Sequence, residues 1–298
     1  MAYQPSSGNE EIQENDIYKS TFKQFKLNGN SVDAAIDAAA DSAHPELILL
    51  DAKPASDTIP ECSTKEHFKP YDEWKMFTLK NAVPGLIIIP GILRDQYRMD
   101  WFGHFHDDLP MRDGYDFKAN TALKEADTLE KLRWITFGYH HNWDSKLYTL
   151  DQPSVVIPER IQDLSKVIST YLNLPNFRPQ AGIVNYYNRK STLCFHTDDS
   201  ELDHTIPLLS FSLGSPAIFL IGGQSKEAST PIVPLLLRDS DVLIMTGDSR
   251  LALHAVPRIV VEDECGKIAK RKVQKTGDKS KIYRINVSVR QVMQVDSK

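Results

Sequence analysis

Two histidines and an aspartate form a candidate metal site in this sequence. His196 closes a strand-like run and Asp198 follows two residues later, while His254 opens another such run far downstream. Side chains two positions apart in a strand point to the same face, so His196 and Asp198 can reach inward together. Two imidazoles and one carboxylate are the facial ligand set of non-haem Fe(II), which leaves coordination positions open on one side of the metal. The spacing therefore predicts an open iron site.

Three other histidines compete for the role of ligand. His204 stands in a polar loop close to the first pair, and His140 and His141 stand in an aromatic segment. We interpret each of them as a hydrogen-bonding or surface histidine rather than a metal ligand.

The run from Arg284 to Arg290 is a candidate anion site, because its alternation is complete. Arg284, Asn286 and Arg290 share one face, and the other face is apolar. The arginine Cα atoms would be about 20 Å apart, and side chains folded toward each other could bracket a small dicarboxylate, since arginine binds carboxylates with two hydrogen bonds. The same pattern also suits a solvent-facing edge strand. Asn185 and Tyr187 share a face of another strand and could supply two neutral donors.

Residues 132–148 are rich in aromatic side chains, including Trp134, Tyr139 and Tyr148. Polar groups able to bond base edges are interleaved with them, among them His141. Aromatic faces with nearby donors suit a flipped or unpaired nucleotide base. The competing interpretation is a core β-hairpin whose aromatic side chains only pack.

The composition of the 298 residues excludes several classes of protein. A hydrophobic fraction of 41% supports a sizeable core, and a net charge of −5 excludes a polyanion binder by bulk charge. The best local basic patch is 262–281, for which a solvated hairpin tip is the simpler interpretation. The three cysteines are widely spaced without a CxxC motif, which argues against a disulfide framework or a zinc finger. The N-terminus has no apolar signal segment, and no stretch approaches the roughly 18 apolar residues of a membrane helix.

We interpret residues 1–73 as a helical extension outside the core, followed by a linker. A helix is predicted over 17–25, and the apolar spacing after Ser31 predicts a second one. Residues 51–73 carry several prolines, serines and threonines, which are typical of a linker. None of the residues singled out above lies in this region, so we place the main domain at 74–298.

The main domain is predicted to be α+β, with a double-stranded β-helix (jelly roll) core at about 180–292 backed by helices. Helical spacing is present over 93–105 and 158–172, and an apolar run at 85–90 indicates a buried strand. Residues 106–128 are polar and rich in turns, as in a loop or flap. Beyond residue 180, short strands separated by turn signals indicate a jelly roll and not a parallel sheet. These strands are 182–187, 192–196, 208–213, 217–221, 231–237, 241–246, 254–261 and 282–289.

Together these features resemble the AlkB family of Fe(II)/2-oxoglutarate dioxygenases, and most closely its homologue-1 branch. The likeness runs from about Lys75 to Val292 and rests on long blocks, among them LRWITFGYHHNWDSKLY, GIVNYYNRKSTLCFHTDD, MTGDSRLALHAVPRI and RINVSVRQV. The iron ligands that the resemblance implies are His196, Asp198 and His254. The 2-oxoglutarate contacts that it implies are Asn185, Tyr187, Arg284, Asn286 and Arg290. The contacts to a substrate base, on a nucleotide-recognition lid at about 130–150, are Trp134, Tyr139 and His141.

The resemblance implies an oxidative demethylase that uses Fe(II), 2-oxoglutarate and O2 and that releases succinate, CO2 and formaldehyde. The substrate it implies is tRNA carrying N1-methyladenosine or a methylated cytosine, with single-stranded DNA as a further candidate. One departure is that repair-type members carry an acidic residue two positions after the metal aspartate, where this sequence has Ser200 followed by Glu201. That departure argues against efficient repair of alkylated DNA.

Two alternatives stay open at this point. The same chemistry could act on a protein such as histone methyl-lysine, or the chain could be a catalytically weak jelly-roll binding protein. We expect a monomer without a membrane partner, resident in the nucleus and cytoplasm, with the mitochondrion as an alternative location.

Overall fold

The computed structural model describes most of the chain. The described residues are 16–27, 32–51, 54, 56–111, 118–119, 132–142, 144–150, 156–226, 230–260 and 282–294. Among them no helix combines the length and the apolar character that crossing a membrane requires. The basic patch predicted at 262–281 and much of the loop predicted at 106–128 lie outside these residues.

The described chain forms three α-helices and a series of short strands. The helices are α1 (Ile17–Leu27), α2 (Arg98–Gly103) and α3 (Glu159–Tyr171). The strands are β1 (Leu47–Leu50), β2 (Met76–Leu79), β3 (Leu86–Ile89), β4 (Lys118–Ala119), β5 (Trp134–Gly138), β6 (His141–Asn142), β7 (Leu147–Tyr148), β8 (Ala181–Asn188), β9 (Leu193–His196), β10 (Leu208–Gly214), β11 (Ala217–Ile221), β12 (Val233–Leu237), β13 (Val242–Met245), β14 (His254–Ile259) and β15 (Ile282–Arg290).

Two antiparallel sheets face each other. The larger has the order β1-β2-β3-β13-β10-β15-β8-β5-β4, and the smaller has the order β12-β11-β14-β9. Strands β6 and β7 form a separate hairpin. This arrangement confirms the predicted α+β jelly roll, and each of the eight strands predicted beyond residue 180 is present within a few residues of its predicted bounds.

Strand β15 shows how the sequence divides the larger sheet into two faces. It pairs with β10 on one side and β8 on the other, so the interpretation as a solvent-facing edge strand is wrong. Its apolar face, with Ile285 and Val287, belongs to the core beneath the helices. Its polar face, from Arg284 to Arg290, lines a cavity between the sheets. Period-2 alternation on a central strand therefore separates the helix-covered core from the site.

The outer face of the larger sheet is covered by α2 and α3. In α3, Ile161, Val167 and Ile168 are fully buried, as its helical spacing predicts. Asp163 on the same helix accepts hydrogen bonds from the backbone and hydroxyl of Thr64, at 3.0 and 2.9 Å. The segment predicted as a linker over 51–73 is thereby fixed to the helical layer.

The N-terminal region packs on both sheets, so the interpretation that it lies outside the core is wrong for its described residues. Strand β1 pairs with β2 and extends the larger sheet. On the other side, Phe25 of α1 and Val32 share a core cluster with residues of the smaller sheet, namely Ile218, Leu220, Leu236, Ala255 and Val260. The domain boundary at 73 stays a prediction.

The second N-terminal helix, predicted after Ser31, is not formed. A short turn begins at Val32, and Ile36 makes an isolated parallel bridge with Leu235. The backbone N–H of Ile36 donates to the carbonyl of Pro234 at 2.9 Å, and its carbonyl accepts from Leu236 at 2.9 Å. Apolar residues four apart are thus buried by pairing with β12, which satisfies the backbone as well as a helix would.

Candidate functional site

Two strands of the smaller sheet bring the predicted ligand histidines side by side. His196 ends β9 and His254 begins β14, and the two residues are direct partners in the antiparallel register. One donor atom from each of His196, Asp198 and His254 lies within 4.8 Å of the other two. The Nε2 atoms of His196 and His254 are 4.0 and 3.9 Å from the two carboxylate oxygens of Asp198. The three groups therefore surround a common point.

Hydrogen bonds orient both imidazole rings toward that point. The Nδ1 atom of His196 is 2.9 Å from the carbonyl of Cys194, and the Nδ1 atom of His254 is 3.0 Å from the carbonyl of Ala252. A carbonyl only accepts, so each ring carries its proton on Nδ1 and offers the lone pair of Nε2 to a metal. Burial lowers the pKa of His254 to about 4, which keeps that ring neutral at neutral pH. Two imidazoles and a carboxylate fit a divalent iron centre.

Asp198 is held as a carboxylate by its neighbours. Burial alone would raise its pKa, but the Arg290 guanidinium and the two histidines lower it below the ordinary range. Arg290 Nη2 donates to Asp198 Oδ2 at 2.7 Å. The carboxylate is therefore charged and oriented before any cation binds.

A cavity of about 330 Å³ opens beside these groups. Both sheets and the β6–β7 hairpin contribute to its walls. Among its lining residues are Tyr139, His141, Tyr148, Asn185, Tyr187, His196, Asp198, Glu201, His254, Arg284, Asn286, Ser288 and Arg290. The structure thus brings ten of the eleven predicted site residues to one cavity. The remaining one, Trp134, lies opposite Asn185 in the β5–β8 register but is not part of the lining.

Arg284 supplies a buried cation that has no carboxylate partner among the described residues. It is 2% exposed. Its guanidinium donates to Ser212 Oγ at 2.7 Å and to the carbonyls of Ser215 and Leu237 at 3.3 Å. Its Nε–H finds no acceptor in the described part of the chain. Burial lowers the pKa of Arg284 to about 10, so the group still carries its charge at neutral pH and can attract an anion.

Neutral donors surround this cation. Tyr187 is the register partner of Arg284, and Asn185 is the partner of Asn286. The Asn286 amide nitrogen donates to Ser210 Oγ at 2.8 Å and to the carbonyl of Phe211 at 3.1 Å, which fixes its plane and uses both of its N–H groups. Burial raises the pKa of Tyr187 to about 12, so its hydroxyl stays protonated and can donate. A cation with neutral donors beside it suits a carboxylate group.

The expected bracket needs both arginines for the dicarboxylate, and Arg290 is not free for that role. Arg290 instead contacts two acids, with Nη2 on Asp198 and Nε 2.9 Å from Glu201 Oε1. Burial alone would lower the pKa of Arg290, but Asp198 and Glu201 raise it above the ordinary value. Alternation on a strand predicts which face an arginine is on, but its partners come from a different segment.

Glu201 and Arg250 contact the predicted site residues, and the sequence interpretation did not include them in the site. Glu201 is 5% exposed and accepts hydrogen bonds from Arg250 Nη2 at 2.6 Å and from the Tyr148 hydroxyl at 2.7 Å. Arg250 also donates to the carbonyl of Asp198 at 2.6 Å. Burial would raise the pKa of Glu201, but Arg290 and Arg250 lower it. Two positions in the sequence could have pointed to this ion pair. Glu201 is an acid three residues after Asp198, and Arg250 lies four residues before His254.

The β6–β7 hairpin is attached to the metal-binding loop at two points. His141 Nε2 lies 2.9 Å from Ser200 Oγ, and Tyr148 donates to Glu201 as described. Ser200 therefore meets the hairpin, at the position where repair-type AlkB proteins place an acid. Two of the competing histidines also find local partners, since His140 Nδ1 is 2.9 Å from Thr136 Oγ1 and His204 Nε2 is 3.2 Å from the carbonyl of Asp199.

Comparison with known proteins agrees with this site. A family model described as 2OG-Fe(II) oxygenase superfamily matches residues 85–290. The chain is 38% identical over 220 residues to a human protein named nucleic acid dioxygenase ALKBH1, a match that covers 66% of this chain and 55% of that protein.

Two further relatives differ in their named substrate. The chain is 36% identical over 181 residues to the DNA N(6)-methyladenine demethylase ALKBH1A of Arabidopsis thaliana, covering 57% of this chain and 52% of that protein. It is 40% identical over 132 residues to the tRNA demethylase abh1 of Schizosaccharomyces pombe, covering 44% of this chain and 43% of that protein. The chain spans about half the length of these relatives.

Proposed function

The chain belongs to the 2OG-Fe(II) oxygenase superfamily, with AlkB homologue-1 proteins among its relatives, and we propose that it oxidatively demethylates modified bases in nucleic acid. One observation carries the proposal. A His-Asp-His ligand set lines the same cavity as Arg284, whose Nε–H finds no acceptor in the part of the chain that the structure describes. That pairing suits a metal and a dicarboxylate bound side by side.

His196, Asp198 and His254 would hold Fe(II) through two Nε2 atoms and a carboxylate oxygen. The bound metal, with 2-oxoglutarate and O2, supplies the oxidising power to hydroxylate a C–H bond while the co-substrate leaves as succinate and CO2. The residues themselves keep the ligand atoms oriented. Because the carbonyls of Cys194 and Ala252 hold the Nδ1 protons, both rings are ready to coordinate without a change of tautomer.

Arg284 would bind a carboxylate of the co-substrate. Its unpartnered Nε–H and its charge gain an acceptor when an anion enters, and a charge-assisted hydrogen bond is stronger than a neutral one. Tyr187 and Asn185 line the same cavity and would be the neutral donors beside it. These groups would hold one carboxylate of the dicarboxylate in the cavity that the metal ligands also line.

The substrate base would enter beside the β6–β7 hairpin. Tyr139, His141 and Tyr148 line the cavity there, and aromatic rings suit stacking against an unpaired base. An N-methyl group placed near the metal ligands would become hydroxymethyl, which breaks down to formaldehyde and the unmodified base. The relatives carry the names of a DNA and a tRNA demethylase, so nucleic acid is their common substrate class.

Within that class we propose tRNA carrying N1-methyladenosine or a methylated cytosine. The test incubates the full chain with Fe(II), 2-oxoglutarate, ascorbate and total tRNA, and quantifies the digested nucleosides by mass spectrometry. We expect a fall in N1-methyladenosine or methylcytidine that His196→Ala abolishes. His204→Ala is the matched control, because this nearby histidine bonds a backbone carbonyl and is not in the ligand group.

A second arm separates the alternatives. A methylated single-stranded DNA oligonucleotide and a methyl-lysine histone peptide are incubated under the same conditions. Turnover of the peptide alone would move the substrate class to protein. If no substrate is turned over and no succinate is produced, a binding protein would be favoured. A monomeric state and residence in nucleus and cytoplasm stay predictions.

A further inference from the structure

We propose that Tyr18 of helix α1 is a positioning residue that aligns both histidines of the metal site from behind. The inference rests on the metal site proposed above and adds a residue outside the region 85–290 that the family model matches. Tyr18 is 2% exposed. Its ring contacts the strand that carries one histidine, and its hydroxyl contacts the turn after β11, which is hydrogen-bonded to the residue before the other.

The first contact is made with the strand of His196. Strand β9 has four residues, lies at the edge of the smaller sheet and pairs with β14 in an irregular register. Because side chains alternate along a strand, Phe195 points away from the face of His196. The ring of Tyr18 meets Phe195 edge to face, with centroids 4.9 Å apart, and Phe22 approaches it at 6.4 Å. An edge strand has a neighbour on one side only, so α1 supplies support that the sheet does not.

The second contact is made with the turn that follows β11. The Tyr18 hydroxyl accepts a hydrogen bond from the backbone of Gly223 at 3.0 Å and donates to the carbonyl of Ser225 at 3.2 Å. Gly222 donates to the carbonyl of Leu253, and Leu253 donates back to the carbonyl of Gly223, both at 2.9 Å. The turn that Tyr18 binds is therefore tied to the residue directly before His254.

The turn is shaped to admit this side chain. A Cβ atom on Gly222 would lie 2.6 Å from the Tyr18 hydroxyl oxygen and 2.7 Å from a ring carbon, closer than non-bonded atoms approach. A glycine at this position lets the ring reach both strands at once. One side chain thus fixes β9 relative to the start of β14.

The expected consequence is a change in metal affinity. The ligand atoms of a metal site must be held to within about 0.5 Å, and loss of groups that orient ligands typically weakens metal binding about 10–100-fold. Without Tyr18, β9 keeps its irregular pairing with β14 and the more distant contact of Phe22. We therefore expect Tyr18→Ala to weaken Mn(II) binding about 10-fold or more.

The experiment titrates metal-free full-length protein with Mn(II) and follows free Mn(II) by electron paramagnetic resonance, which requires no turnover. Tyr18→Phe keeps the ring contact and loses both hydrogen bonds, so its affinity should fall between wild type and Tyr18→Ala. Ile17→Ala, at a neighbouring exposed position on the same helix, should bind as wild type does. Ile168→Val lies in α3, on the far side of the larger sheet from α1. It should lower global stability, and the variant should still bind Mn(II) as wild type does.

Each outcome bears on the proposal. Wild-type affinity in Tyr18→Ala would overturn it, as would an equal loss of affinity in Ile168→Val, because the effect would then follow global stability. If Tyr18→Ala does not fold, Tyr18→Phe and Phe195→Leu decide, and normal Mn(II) binding by both would overturn the inference. Failure of the wild-type protein to bind Mn(II) would instead reject the metal site itself.

Discussion

The two ends of strand β15 hold arginines of opposite character. Arg284 is surrounded by neutral partners, and among the described residues no carboxylate lies within 4.0 Å of its guanidinium. Arg290, six residues later on the same face, contacts Asp198 and Glu201. A buried cation without a counter-ion costs free energy until an anion arrives. One arginine is therefore suited to an incoming ligand, while the other already holds the metal carboxylate in place.

The largest effect is expected from removing the paired arginine. Arg290→Ala leaves Asp198 and Glu201 buried without that partner, and breaking a buried ion pair costs about 3–5 kcal/mol. We expect this loss in the free energy of unfolding of the metal-free protein, measured in urea. Saturating Mn(II) should restore part of it, because a cation beside Asp198 replaces some of the lost charge.

Arg178→Ala is the matched control for that experiment, since its guanidinium bonds the carbonyls of Pro175 and Phe177. If Arg290→Ala lowers the free energy of unfolding by less than about 1 kcal/mol, its ion pair would contribute no more than an exposed one does. The two arginines would then not differ in the way described.

The unpaired arginine should matter for the co-substrate rather than for folding. Hydrogen bonds to charged groups contribute about 1.5–3 kcal/mol, so Arg284→Ala should raise the Kd for 2-oxoglutarate by roughly 10–100-fold. The free energy of unfolding without ligand should change little. Isothermal titration of the Mn(II)-loaded protein measures the Kd, with Arg284→Lys expected to recover only part of the affinity because lysine lacks the two-pronged geometry. An unchanged Kd would assign the carboxylate to another residue.

The loss of stability at low pH should depend on Glu201, which pairs with Arg290 at the end of β15. The folded pKa of Glu201 is below its ordinary value, so its contribution is present above an unfolded pKa of about 4 and is lost as the pH falls through the folded pKa. Glu201→Gln should lower stability by about 1–3 kcal/mol at pH 7. The difference in Tm between the two proteins should shrink from pH 6 to pH 3. A constant difference would show that charge is not what Glu201 contributes.

The smallest effect is expected where the hairpin meets this network. Tyr148→Phe removes one hydrogen bond to Glu201. Because this carboxylate keeps Arg250 and Arg290 as partners, the free energy of unfolding should fall by only about 0.5–1.5 kcal/mol. Thermal unfolding measures this change. Thr205→Ala, which removes an exposed hydroxyl bonded to Asp203, is the comparison, and a larger loss there would contradict a role for Tyr148 in fixing the hairpin.

Much of the site could be predicted because strands impose a simple geometry. The alternation of side chains along a strand predicted that Arg284, Asn286 and Arg290 share one face. The same rule predicted that His196 and Asp198, two residues apart, reach inward together. The partners of each side chain could not be predicted in the same way. Arg290 meets Glu201 because a loop after β9 folds back across the sheet, and no local pattern in the sequence encodes that approach.

The fold was predicted best where turn signals and apolar runs agree. The strands beyond residue 180 satisfy both criteria. The apolar spacing around Ile36 was misinterpreted because it is compatible with a helix and with bridging to a strand, and only the neighbouring edge of β12 decides between them. Strand β1 was missed for a related reason, since its pairing with β2 is what makes it a strand.

The cover that α1 and Val32 place over the smaller sheet has a practical consequence for shortened forms of the protein. A version starting at residue 85, where the family match begins, would lose that cover and leave Phe195 and the outer apolar cluster facing water. Strand β9 would then present an unprotected edge beside an apolar surface, a combination that promotes association between chains. Solubility, and not only the geometry of the site, therefore depends on how much of the N-terminal region such a version retains.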